Sequence, residues 1–279
     1  MRLRTFIVHD RGHTVRYLVL LAALLAASAA YAASQPVELK AAGPWKVDYS
    51  EAACLLSRPY TATDGRTYRA ELTFEPTQTD VWLRLFSAEK TSRRDDEKAT
   101  VDVDGVRVGG DIHFNIFGSP DGGTIREFWL LDMRKIAAMK QSLRLATKRH
   151  GDFTLAADGF QAAARAIDTC MDDLHRSLGI DPTVLKQIAV MPEGSSYSFV
   201  DYPIGPLGFD ITLLYFVTEQ GKVENCQLLK PSGQQSFDNT VCSRLEARGQ
   251  FKPAKDASGK AIRAPVYEDL RLRRIITRY

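Results

Sequence analysis

The sequence predicts an α+β fold in two parts. A β-rich, sandwich-like domain over residues 42–180 is closed by a helix, and a smaller domain of a β-hairpin, a helix and a β-strand follows over residues 208–279. Short segments of alternating apolar and polar residues, separated by turn residues, predict about seven to nine strands in the first domain. Helical spacing from Phe160 to Leu178 predicts the closing helix.

The amino end has the features of a secretory signal peptide. Four arginines precede an apolar run from Leu18 to Ala30, and Ala30-Tyr31-Ala32 is a small-x-small cleavage pattern that predicts a leader over residues 1–32. The run of about thirteen residues is shorter than the roughly twenty that cross a bilayer as a helix. We expect a periplasmic protein. The alternative is an inner-membrane anchor that faces the periplasm, and membrane contact is expected only if the leader is retained.

The charge balance argues against nucleic acid as a partner. The chain has 37 basic and 34 acidic residues, and removal of the leader, with four arginines and one aspartate, leaves 33 of each. Nucleic-acid binding needs clustered and uncompensated lysines and arginines. We therefore expect protein partners and no nucleic acid.

All four cysteines lie in the exported part of the chain, which favours two disulfides in an oxidising compartment. Four cysteines allow three connectivities. Cys226 falls on a predicted strand and Cys242 on the helix that packs over it, so we expect a local pair, which leaves Cys54 with Cys170. None has the CxxC spacing of a redox or zinc site.

The first domain is read as a series of strands. Asp104-Gly105 predicts a type I′ hairpin turn, and the ligand spacing of a calcium loop does not follow it. The charged run Glu89–Lys98 predicts a solvated loop. The predicted strands are a segment with Trp45, Val47 and Tyr49 in alternation, then 67–75, 81–86, the hairpin 100–108, 124–131, 142–147 and 153–156.

A helix from Phe160 ends before Gly179, and its Met and Leu stripe predicts core packing. Residues 181–207 contain four prolines and predict a linker or an extended arm.

The last region begins with a strand over 211–218, a turn at Gln220-Gly221 and a returning strand over 222–229. A helix of roughly four turns follows, with Ser236 as its predicted N-cap, and a last strand runs over 264–273. The predicted buried stripe of this helix is Phe237, Val241, Leu245 and Ala247.

Residues 208–272 resemble the C-terminal domain of TonB energy transducers, and the resemblance extends over about residues 205–276. It is carried by the Gly-Lys-Val turn, a Lys-Pro-Ser-Gly…Phe-Asp segment and Phe-Lys-Pro-Ala-Lys-Asp. The matching positions are Gly221, Phe237, Asp238, Phe251, Pro253, Ala254 and Asp256.

The resemblance implies a protein-binding module that adds an extended peptide to a sheet edge, here the last strand with its flank Arg273-Arg274. The implied partner is an outer-membrane receptor peptide or another envelope protein, with a link to outer-membrane transport and energy transduction. The chain departs from the family because it lacks the long proline-rich spacer and a histidine in the apolar part of the leader. The alternative is a structural or interaction protein of the envelope with no transport role.

No catalytic, metal or cofactor pattern stands out. His113, His150 and His175 are far apart and lack metal-ligand spacing, and a solvated or capping role is expected for His175. Ser195-Ser196 lacks the Gly-x-Ser-x-Gly elbow. We therefore expect a protein that is not an enzyme and that uses no cofactor.

Overall fold

The computed structural model describes residues 36–50, 52–77, 81–92, 94–130, 136, 138–194, 196 and 209–272. The predicted signal peptide and the flank Arg273-Arg274 lie outside these residues. In the described part of the chain, seventeen strands and four helices form one large sheet and two sheets of three strands.

The large sheet closes into a barrel of nine strands. Their order is β1-β11-β10-β6-β8-β9-β5-β4-β3, and β1 completes the ring because it pairs with both β11 and β3. The barrel strands are β1 Val37–Ala41, β3 Cys54–Ala62, β4 Thr67–Phe74, β5 Val81–Ser87, β6 Asp95–Val103, β8 Ile112–Gly118, β9 Thr124–Leu130, β10 Ser142–Thr147 and β11 Asp152–Ala156. Two short strands, β2 Lys46–Tyr49 and β7 Val106–Arg107, add to β3 and β6.

The barrel interior is a packed core. On β5 the inward residues Val81, Leu83 and Leu85 are fully buried, and the residues between them are half-buried. This alternation recurs on β3, β4 and β8, as a period of two requires when one face of a strand is inside. Side chains fill the space between the strands, so the barrel encloses a hydrophobic core.

The prediction of an α+β fold with a sandwich-like first domain is wrong, because the molecule is mostly β and its first part is a closed barrel. Alternation gives the inward face of each strand but not whether the sheet splits into two layers or closes on itself. Closure depends on β1, whose sequence Val-Glu-Leu-Lys-Ala does alternate apolar and polar residues, but the segment is only five residues long and is absent from the predicted strands. Its two partners are distant in sequence.

One end of the barrel is covered by helix α1 (Phe160–Ser177), which contacts β2 and β3. Its buried side includes Phe160, Ile167 and Leu174, which join the barrel core. The helix ends where the sequence predicts, and Gly179 follows it with a positive φ of 66°.

The described part of the segment predicted as a linker contains two elements. Helix α2 (Pro182–Gln187) is capped by the side chain of Asp181, which accepts a hydrogen bond from the Thr183 N–H. Strand β12 (Ile188–Val190) follows. It forms a small sheet with β15 (Ala254–Asp256) and β16 (Ala261–Ile262), in the order β12-β15-β16.

The second three-stranded sheet has the order β14-β13-β17, with β13 Phe209–Val217, β14 Val223–Lys230 and β17 Ala264–Leu272. Between β14 and β15 lie helices α3 (Gln235–Asp238) and α4 (Val241–Arg248). The predicted TonB-like arrangement with one helix of four turns is therefore wrong. Ser236 lies inside α3 instead of capping it, and Ala247 is exposed.

Candidate functional site

The central strand β13 is apolar on both faces because each face packs against a different part of the molecule. Leu214 and Phe216 join the core of the barrel and α1. Ile211, Leu213 and Tyr215 belong to a second core under α3 and α4. The sheet is therefore held between the barrel side and the two short helices, and only its two edge strands remain to offer backbone groups.

The outer edge of β14 is covered by the chain itself. Lys222 forms a β-bridge with Gln250, and the Phe251 N–H donates to the Gly221 carbonyl at 2.8 Å. Further along the strand, the Cys226 N–H donates to Glu246 Oε1 at 2.9 Å. The chain therefore covers this edge at its start and at Cys226.

The outer edge of β17 is different. Among the described residues no strand pairs with it, and β17 is the last strand in its sheet. The Tyr267 N–H points away from β13, since it donates to Thr77 Oγ1 at 3.3 Å. Alternation along an antiparallel strand then turns the backbone of Pro265 and Arg271 outward as well. Pro265 has no N–H, so it limits pairing at one end of this edge.

Charges and aromatic rings surround this sheet on the barrel side. Burial, together with the carboxylates of Glu75 and Asp269, raises the pKa of Tyr267 above its ordinary value. Just before β17, Arg263 pairs with Glu224 at 2.5 Å and lies 3.9 Å from the centre of the Phe216 ring. Because its pKa is raised, Tyr267 stays neutral at physiological pH.

The residues that carry the family resemblance hold the local fold together. The structure brings Gly221 and Phe251 into contact, and Phe237 lies in the same hydrophobic core as Phe251. Ala254 is buried and Pro253 is half-buried.

The two acidic positions of the set each organise a turn. Asp238 Oδ1 accepts hydrogen bonds from the N–H and hydroxyl of Ser232. Asp256 Oδ1 accepts three hydrogen bonds, from the N–H and hydroxyl of Ser258 and from the Lys260 N–H. None of these seven residues lies on β17 itself.

Both predicted disulfides are confirmed. Cys54 on β3 bonds to Cys170 on α1, and Cys226 on β14 bonds to Cys242 on α4. The four described cysteines are therefore all paired, which indicates an exported protein in an oxidising compartment.

The three histidines outside the leader do not converge. His113 is exposed on β8, and His150 lies against Asp95 at 2.9 Å. His175 is buried, and its Nε2 lies 2.7 Å from the Pro76 carbonyl, so of the two expected roles, solvated or capping, the solvated one is wrong. In the described part of the chain, no group of three or more His, Cys, Asp or Glu side chains could hold a metal ion.

Sequence reasoning missed a polar cluster at the barrel end far from α1. The run Glu89–Lys98 is only partly a loop, because β6 begins at Asp95. Arg126 was not singled out, although it stands at an inward position of β9, opposite Leu85 and Ile116. The sequence did contain a signal for this cluster, because Arg126 is a charged residue at a position that the alternation of β9 predicts to be buried.

The fold and the bonded cysteines define a disulfide-linked, closed-barrel protein of an oxidising compartment with an appended three-stranded sheet. Among the described residues, no helix is both long and apolar enough to cross a membrane. Comparison with protein-family models, curated proteins and solved structures gave no match. The resemblance to TonB C-terminal domains therefore stays a prediction.

Proposed function

We propose that this is a periplasmic protein-binding module whose β17 edge receives an extended peptide from another envelope protein. The carrying observation is the asymmetry of the three-stranded sheet. The chain forms a β-bridge beside the start of β14 and a hydrogen bond to Cys226, whereas among the described residues no strand or β-bridge pairs with the outer edge of β17. Main-chain hydrogen bonds along such an edge give affinity in strand addition.

The proposed partner is the amino-terminal segment of an outer-membrane receptor, which would link the protein to transport. This step depends on the sequence resemblance of residues 208–272. The packed barrel supports a role in binding at the surface, because its interior is filled by side chains.

A cleavable leader would place the protein in the periplasm, and amino-terminal sequencing of the exported product checks this directly. A start near Ala33 is expected, and a retained leader in the inner membrane would instead support the anchored form.

The edge is tested with a pair of substitutions at one position. Arg271→Pro removes an outward N–H of β17 and keeps the hydrogen bonds to β13, whereas Arg271→Ala removes only the side chain. Both variants are titrated with fluorescent peptides from receptor amino termini. We expect Arg271→Ala to bind within about threefold of wild type if the backbone dominates, and Arg271→Pro to lose about tenfold in affinity, the equivalent of one or two backbone hydrogen bonds.

Equal affinity of the two variants would rule out strand addition at this edge. Crosslinking in intact cells, with a photoreactive residue at Arg271, would identify the natural partner. Failure of wild type to bind any receptor peptide, together with a crosslink to another envelope protein, would reject the transport role and keep the binding role.

A second candidate is a structural envelope protein with no transport role. The favouring observation is that Thr77 already bonds to the middle of β17 and that Leu214 and Phe216 join the barrel core. In that case the three-stranded sheet is a scaffold for the barrel. No crosslink at Arg271 in cells would favour this candidate.

A further inference from the structure

The barrel end far from α1 contains a polar cavity of about 300 Å³. This end is formed where β5, β8 and β10 finish, because β11 runs from here toward α1 at the other end. Lys90, Arg126, Arg149 and His150 line the cavity together with Glu89. Its volume is within the range of small-molecule sites in proteins.

The guanidinium of Arg126 is buried without a full set of partners. Its side chain is 11% exposed, and it points into the barrel, between the positions of Leu85 and Ile116. Nη1 donates to Ser87 Oγ at 3.0 Å, whereas Nε has no hydrogen-bond partner. The nearest carboxylate oxygen, Oε2 of Glu89, lies 3.8 Å from Nη2. Since a guanidinium has five N–H donors, most of the donors of Arg126 have no acceptor among the described residues.

A second buried arginine shows how this barrel holds a structural guanidinium. Arg58 is 6% exposed, and its Nε donates to the Gly43 carbonyl at 2.9 Å. Its Nη1 donates to the Asp158 carbonyl at 2.7 Å, and the Trp45 ring lies 5.2 Å from its central carbon. Arg58 therefore has acceptors on two sides and an aromatic face. Arg126 has one acceptor and the Phe153 ring, at 5.2 Å.

The charges around the cavity leave an excess of positive charge near Arg126. Arg149 is neutralised by Asp95 and Glu97, at 3.0 and 3.2 Å. Glu89 is shared, because it also pairs with Arg66 at 2.7 Å. Lys90 forms no ion pair with any described residue.

Burial lowers the pKa of Arg126 from its ordinary value, as expected for a cation with too little compensation. A buried charge with too little compensation is costly, so an anion in the cavity would relieve that cost.

We propose that this cavity binds a small oxyanion, the carboxylate or phosphate group of a small molecule, through the guanidinium of Arg126. Lys90, on the loop after β5, is the second cation of the site. Both oxyanions match the planar donors of a guanidinium, which pairs with them through two N–H groups at once. This site lies at the opposite end of the barrel from β17 and is independent of peptide binding there.

The test is calorimetric titration of the folded wild-type protein at low ionic strength, with acetate and succinate in one arm and inorganic phosphate and glycerol phosphate in the other. Sodium chloride at equal ionic strength is the blank. We expect saturable binding with a Kd below about 1 mM for at least one arm. The arm that binds identifies the oxyanion. Absence of saturable binding in both arms would overturn the proposal.

Three variants assign the site. Arg126→Met keeps the length and burial of the side chain and should weaken binding at least about tenfold, because it removes the main charged donor. Lys90→Ala should weaken anion binding less than Arg126→Met does. Because Lys90 is exposed on a loop, this substitution leaves the core intact. Arg144→Gln is the matched control, since Arg144 pairs with Asp152 at 2.8 Å on the barrel exterior. Circular dichroism checks that each variant is folded.

Retention of wild-type affinity by both Arg126→Met and Lys90→Ala would show that any bound anion sits elsewhere and would reject the site. Should Arg126→Met fail to fold, Lys90→Ala decides alone. A second readout is the melting temperature. The bound anion should raise the Tm of wild type and of Arg144→Gln but not that of Arg126→Met.

Discussion

Asp104 illustrates how a single turn residue can serve two purposes. It has a φ of 50° and Gly105 has a φ of 80°, so the pair forms the predicted type I′ turn, and that prediction is confirmed. Its carboxylate also accepts backbone hydrogen bonds from Lys140, Gln141 and Ser142, at 2.9, 2.7 and 2.9 Å. The turn thus anchors the chain that enters β10, a role that local sequence does not reveal.

These hydrogen bonds predict a pH-dependent stability. Partial burial opposes ionisation of Asp104, but the three backbone N–H groups outweigh it, and its pKa is lowered from the ordinary value. The contribution is therefore present above the unfolded pKa of about 4 and is lost as the pH falls through the lower folded pKa. Asp104→Asn keeps the left-handed turn but loses one acceptor and the charge.

We expect Asp104→Asn to reduce the free energy of unfolding by about 1 kcal/mol at pH 7, since the carboxylate is half-exposed, and by less at pH 3. Urea denaturation of both proteins at the two pH values measures the gap. A gap that is unchanged or larger at pH 3 would show that ionisation of Asp104 is not the cause.

Gly221 is the other residue whose identity is dictated by backbone geometry. Its φ is 78°, and a Cβ atom there would lie 2.0 Å from the Phe251 carbonyl oxygen. We expect Gly221→Ala to destabilise the protein by more than about 2 kcal/mol, because the left-handed strain and the clash add. Gly65→Ala is the control, with a φ of 84° and no atom within 4 Å, and should cost only about 1 kcal/mol. If urea denaturation gave equal losses of stability for the two variants, the segment around Phe251 would be free to move away from the added Cβ atom.

At the scale of elements, local pattern predicts strands and their inward faces well, and it fails where a partner is distant. The predicted strand over 211–218 corresponds to β13, and that over 264–273 to β17. The buried positions Phe237, Val241 and Leu245 are also correct. The break between α3 and α4 was missed, because Asn239-Thr240 is compatible with a continuous helix when only periodicity is considered. The polar lining around Arg126 was missed because it comes from four separate strands and loops.

The two disulfides tie helices to strands over very different lengths of chain, with sequence separations of 116 and 16 residues. Crosslinks that close longer loops restrict the unfolded chain more. We expect replacement of Cys54 and Cys170 by alanine to cost about 4–5 kcal/mol, and of Cys226 and Cys242 about 3 kcal/mol.

Guanidinium denaturation of the two double variants measures the difference. A larger loss for the Cys226 and Cys242 variant would contradict the loop-length argument. Thiol labelling of the native wild-type protein should find no reactive cysteine.

At the scale of the whole molecule, one face of the three-stranded sheet packs into the hydrophobic core of the barrel, because Leu214 and Phe216 belong to the cluster of the barrel and α1. We therefore expect a single unfolding transition. All three tryptophans lie in or beside the barrel, at positions 45, 82 and 129, so their fluorescence reports on the barrel alone.

Leu214→Ala tests this directly, since Leu214 lies on the appended sheet. It should lower the free energy of unfolding by about 2–4 kcal/mol and shift the tryptophan transition together with the far-ultraviolet circular dichroism transition. A shift in circular dichroism with an unchanged tryptophan transition would show two independently folding units.

The double pairing of β1 also constrains how the chain matures. β1 is the first barrel strand in the chain, yet Val37 gains its parallel partner, Phe153, only when β11 is in place. Until then β1 cannot join β3 to β11, and the incomplete sheet has unpaired edge strands that can pair with other chains. Closure of the barrel is therefore expected only once the chain as far as Ala156 is available for pairing.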